Sequence, residues 1–175
     1  MKRVILAVFL MVSAQLAMAF SYTLEIAQEE LQEKVSKMMP MEKKKYFVTV
    51  VLSNPKVDLS SAENKIAVFA HVGVIAPAGI KGNGKVKIMG SIIYDAEKGE
   101  FFFDNPEIVS LEVDDVPEKY IPKIKGIAQS IVSKILAARP VYKFKDDNLK
   151  HKLAKSTLKS VKVEKNTLLV ELSAF

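Results

Sequence analysis

The chain holds no cysteine and no tryptophan, and only two histidines, among its 175 residues. Without cysteine there is no disulfide, no thiolate metal site and no lipid-modified N-terminal cysteine. His71 and His151 lie far apart in the sequence, and neither has a histidine four residues away. Zinc takes three or four converging ligands, so neither a metal nor another cofactor is expected. Repeats, low-complexity tracts and linkers are also missing. The length then points to one domain.

Catalytic signatures are equally scarce. "GIKGNGK", from Gly79 to Lys85, spells most of a phosphate-binding loop. Val86 stands where the motif needs a Ser or Thr for magnesium, and the residues that follow alternate as a strand instead of opening a helix. The stretch reads instead as a glycine-rich hairpin loop with positive backbone angles. Asp114-Asp115 and Asp146-Asp147 are adjacent carboxylates just ahead of expected helices, which suits caps better than a shared proton. There is no nucleophile elbow, and Ser53, Ser60 and Ser61 read as loop residues. The expectation is a protein that is not an enzyme and has no catalytic residues.

One long apolar run is present, at the N-terminus. Lys2 and Arg3 precede an apolar stretch from Val4 to Leu16, and Ala17-Met18-Ala19 has the small-x-small form of a cleavage site. Residues 1–19 therefore read as a secretory signal peptide cleaved after Ala19, with 20–175 as the mature domain. The run is short for a bilayer span. Export without disulfides fits a bacterial periplasm, with no lipoprotein anchor because there is no cysteine. Without Lys2 and Arg3, 24 basic residues face 20 acidic ones, a net charge of +4. That charge is mild, and export argues against nucleic acid as a partner.

Periodicity supplies the fold. Ala27, Leu31, Val35 and Met38 recur at helical spacing, which predicts a helix from about Ile26 to Met39 that stops at Pro40. The period then drops to two. Lys45–Ser53, Asn64–Ala76, Gly84–Tyr94 and Gly99–Val113 predict four strands with short connections, an antiparallel meander. Gly73 and Gly90 fall inside strands and suggest bends in a strongly curved sheet. "YIPKIKGIAQSIVSKILAARPVYKF", Tyr120–Phe144, contains the longest helix, opened by Asp115 and Glu118 as a capping box and closed by Arg139 and Pro140. Its apolar stripe holds Ile121, Ile124, Ile127, Ala128, Ile131, Ile135 and Leu136. Lys123, Lys125, Gln129, Ser133 and Lys134 form the wet side. A short basic helix in "DDNLKHKLAKS" and a hairpin, "LKSVKV" and "TLLVELS" joined by "EKN", complete the chain.

"ILAARPVYKFKDDNLKHKLAKSTLKSVKVEKNTLLVEL" resembles the C-terminal half of the YceB-like family of bacterial envelope proteins, and "YTLEIAQEELQEKVSK" is similar to its strand-then-helix start. The resemblance covers most of residues 20 to 173. It implies an α+β fold in which a strongly curved antiparallel sheet, a four-stranded meander plus the C-terminal hairpin, wraps a long amphipathic helix, with a shorter N-terminal helix beside it. That layout is similar to tubular lipid-binding (TULIP) domains, and so implies a lipid or other hydrophobic ligand held between helix and sheet. Relatives commonly carry a cysteine at the cleavage site, where this chain has Phe20 after "AMA".

The candidate lining of such a cavity is Ile124, Ile127, Ala128, Ile131 and Ile135 from the helix and Val68, Val72, Ile88 and Ile92 from the strands. In "EFFFD" one side of the strand packs into the core and the other under a neighbouring element, or else Phe101 and Phe103, which share a side, are candidates for a cavity rim or a membrane-surface or envelope-protein contact. A rival reading uses the same residues. The stripe is then a closed core, and the protein is a non-catalytic interaction or structural module without a ligand. A packed core and a lipid tunnel draw on one set of residue types and differ only in volume.

Overall fold

Alternation of apolar and polar residues sets most of the architecture. The structure is a computed structural model that describes residues 20–60, 65–144 and 157–174. The expected signal peptide, residues 1–19, and the expected basic helix in 146–156, with Asp146, Asp147 and His151, lie outside the described residues. Two antiparallel sheets are present. Strands β2 (Met41–Lys45), β3 (Val48–Asp58), β4 (Ile66–Ile75), β5 (Lys81–Asp95), β6 (Glu100–Asp114) and β7 (Pro140–Lys143) form a six-stranded sheet in chain order. It curls into a half-barrel. Strands β1 (Phe20–Ala27), β8 (Thr157–Glu164) and β9 (Thr167–Ala174) form a second sheet in the order β1-β9-β8. The fold is α+β, and the β3–β6 meander is the expected one.

Four expectations change. The C-terminal hairpin does not extend the meander, because β1 gives β9 its own partner, paired from Phe20↔Ala174 to Ala27↔Thr167. Ile26 belongs to that strand, opposite Leu168 and fully buried, so helix α1 runs only over Gln28–Met38. The long helix, α2 (Ile121–Ile131), continues through a wider π turn at Val132–Leu136 and then ends. Pro140 disfavours helical angles in the residue before it, and Val141, Tyr142 and Phe144 follow in or just after β7. The capping box does not form. Asp115 has φ +60°, and neither α2 nor the short 3₁₀ turn ahead of it (Glu118–Tyr120) has a side-chain cap. Pro122 in the first turn of α2, which needs no donor there, stands in its place.

The glycine-rich stretch is not a loop. Only Ala78 and Gly79 turn, at φ +62° and +76°. Gly82 and Gly84 lie within β5, where a Cβ on Gly84 would collide with the Glu112 carbonyl and one on Gly82 with the Val116 side chain. They are required by close approach of β6 rather than by turning. Gly90 does mark a bulge, as expected, whereas pairing runs unbroken through Gly73.

Both sheets and both helices share one contiguous apolar cluster. Leu168, Val170 and Leu172 of β9 meet it from the small sheet, Val68, Val72 and Ile88 from the large one. At the end formed by β6 and β7, the ring of Phe101 packs within 4.7 Å of Tyr94, 5.5 Å of Phe144 and 5.8 Å of Tyr142, measured between centroids.

Candidate functional site

The concave face of the half-barrel is built by alternation on β4 and β5. Val68, Val72, Ile88 and Ile92 point to it, and each is at most 5% exposed. Helix α2 covers it with Ile124, Ile127, Ala128 and Ile131, each at most 3% exposed. The structure thus brings eight of the nine candidate lining residues into one cluster. Ile135 is the exception, being only half-buried against the cluster, whereas Leu136, also on the predicted stripe, is fully within it. The π turn explains this. Ala137 N–H donates to the Val132 carbonyl at 3.2 Å, five residues back, so the inward position after Ile131 falls at Leu136 instead of Ile135.

Phe101 and Phe103 share a side, as their alternation requires, and both are buried. Phe101 is fully buried in the aromatic group, and Phe103 is 2% exposed beneath α1. Helix α1 is the cover that the candidate set lacked. Leu31 and Val35 of α1 face Val68, Ile92 and Phe103 across a wholly apolar cleft of about 10 Å³, room for roughly one water molecule.

Two glutamines hold the helices over the sheet in the same way. Gln32 of α1 accepts from Val57 N–H at 2.7 Å and donates to the Pro55 carbonyl at 2.7 Å. Gln129 of α2 accepts from Ile108 N–H at 2.9 Å and donates to the Pro106 carbonyl at 2.8 Å. Each also donates to a serine one turn on, Ser36 or Ser133, at 2.9 Å. Both targets are bulges in which an asparagine with positive φ precedes proline, Asn54 at +49° and Asn105 at +43°. The bulges free a carbonyl and an N–H from the ladder, and a carboxamide satisfies both at once. Gln129 is thus a half-buried anchor tied to the backbone of β6 and not a freely solvated side chain. The signal for this was in the sequence as two pairs, "QEKVS" with "NPKV" and "QSIVS" with "NPEI".

Beside the second anchor lies a cavity of about 330 Å³, walled by Asp104, Glu107, Gln129 and Ser133 with Ile93 and Phe103 at its apolar side. His71 lies away from it, 3.4 Å from the Asn83 side-chain oxygen. Among the described residues no three His, Asp or Glu side chains converge as a metal site, and every buried side-chain N or O has a hydrogen-bond partner. Burial raises the Tyr142 phenol above its ordinary value of 10.0, with smaller contributions from Glu30 and Tyr22. Among the described residues no helix is long and apolar enough to cross a membrane.

Two helices anchored over an antiparallel sheet occupy residues that a family model also spans. Residues 26–167 match the model described as "Protein of unknown function (DUF1439)". The chain belongs to the DUF1439 family. The matched span holds both helices, both glutamine anchors, both bulges and the whole six-stranded sheet. No curated protein matches the chain.

Proposed function

We propose that this DUF1439 protein is a binding or carrier protein for a lipid or other slender apolar molecule in the bacterial periplasm. In this reading residues 1–19 are removed after Ala19 on export, and the domain is YceB-like and akin to the tubular lipid-binding domains. The observation that carries it is the small apolar cleft between α1 and the concave sheet, which has no polar group in its lining. Apolar ligands are held in such clefts by area buried from water, with few polar groups to fix orientation. The state described is closed. Uptake has α1 lift from β3 by releasing its Gln28 and Gln32 bonds to Leu59, Val57 and Pro55. An acyl chain then lies on Val68, Ile88 and Ile92 in place of Leu31 and Val35.

Native mass spectrometry and solvent extraction of protein purified without detergent test this. The expected result is a co-purified lipid, and saturable binding of a fluorescent fatty acid once that lipid is stripped. Finding neither overturns the proposal. The rival reading, an envelope interaction module with a closed core, is supported by the tight burial of the lining residues. It predicts neither lipid nor fatty-acid binding.

A further inference from the structure

The tip of the β2–β3 hairpin is built against its own turn chemistry. Lys45 pairs with Val48, so Tyr46 and Phe47 are the two central residues of the loop, at φ +50° and +64°. Such turns favour Asn and Gly, and the β8–β9 turn of this same chain has Asn166 there. Tyr46 and Phe47 are also the most exposed large hydrophobic residues among those described, at 65% and 81%, against 50% for Val109, the next. Two aromatic rings held in water on such a turn are costly to the fold.

Charge surrounds them. Lys43, Lys44 and Lys45 lead into the tip. The ammonium groups of Lys45 and Lys123 lie 5.0 and 5.1 Å from the Tyr46 ring centre. That contact sets the tip beside the first turn of α2, which carries no acidic residue and follows Lys119. Across the sheet from Lys44, the neighbours in register are Thr49, Ile75 and Lys81, and Ile75 is 48% exposed. Glu42 and Glu118 are the acidic residues close in sequence to this group. Aromatic rings ringed by lysine suit one environment, the boundary of an anionic bilayer, where rings sit at headgroup depth and lysines meet the lipid charge.

We infer that the β2–β3 tip, Tyr46 and Phe47 with Lys44, Lys45 and Lys123, docks this protein on an anionic lipid surface. The inference does not rest on the carrier reading, since a module with a closed core docks by the same tip. The absence of tryptophan makes the test direct. In Phe47→Trp the only indole is at the tip, and its emission shifts to the blue on vesicles of phosphatidylcholine with phosphatidylglycerol, not on phosphatidylcholine alone. The unmodified protein co-sediments with the anionic vesicles, and high salt releases it. Tyr46→Asn/Phe47→Gly installs the favoured turn. It raises the melting temperature while weakening vesicle binding by about tenfold or more. Binding by the double variant equal to that of the unmodified protein overturns the inference, as does no binding by either. A blue shift with an acidic polypeptide but not with vesicles also overturns it and points to an acidic protein partner.

Discussion

Tyr142 shows how position decides what one side chain contributes. It lies in β7, in edge-to-face contact with Phe101 and Phe144, and is 8% exposed. Removal from water disfavours the phenolate, and Glu30 and Tyr22 add to that in smaller measure, so its folded pKa lies above 10.0. The folded chain therefore holds this proton more tightly than the unfolded chain does. The associated stability is complete below pH 10 and is lost as pH rises from there through the folded value. Tyr142→Phe should leave the melting temperature near neutrality little changed and make its fall above pH 10 shallower. Parallel curves for the two proteins, by circular dichroism from pH 8 to 11, would refute this. The glutamine anchors are the other residue-scale feature. Removing either carboxamide would leave a partly buried N–H and carbonyl without partners, a loss of about 1–3 kcal/mol.

At the scale of elements, the π turn matters most. Uniform helical spacing puts both Ile135 and Leu136 in the apolar stripe, and past the wider turn Leu136 stays buried while Ile135 is only half-buried. Leu136 is 1% exposed. Leu136→Ala should therefore cost about 2–5 kcal/mol in urea unfolding, the range for a fully buried leucine. Ile135→Ala, at a half-buried site, should cost roughly 1 kcal/mol. Equal costs, or the reverse order, would mean that the helix keeps a regular turn. The N-terminal strand carries a related lesson. Ile26 and Ala27 fit a helical pattern with Leu31 and Val35, yet Leu24 and Ile26 also alternate. Pairing with Leu168 and Val170 settled the competition, because β9 would otherwise leave an open edge.

The whole molecule joins two sheets through one core. Leu168 and Leu172 of the small sheet belong to the same buried cluster as Ile88 and Ile131. No layer can be removed without exposing the others, so unfolding should be a single cooperative transition. Urea midpoints from far-UV circular dichroism and from tyrosine fluorescence should coincide. Two separated transitions would show that the β1-β9-β8 sheet is an independent unit. The meander was legible because its strands are wet on one side and so alternate cleanly. The edges β2 and β7 were not. "MEKKK" is nearly all charge, as an edge strand can be, and "PVYK" follows directly on helical spacing. The sheet residues of the candidate site were legible by the same alternation. The cover from α1 was not, since nothing in Leu31 or Val35 says which surface they meet.

The sequence alone determined the period-two strands, the apolar faces of both helices, the lack of thiol chemistry and the scarcity of metal ligands. These follow from residue type and spacing, which act locally. Tertiary structure decided the rest. It set which sheet receives the C-terminal hairpin, which helix covers the apolar cleft, which glutamines bind backbone, and how little space remains between helix and sheet. Each of these depends on groups distant in sequence competing for one partner, and the winner is chosen by the whole chain's burial and hydrogen bonding.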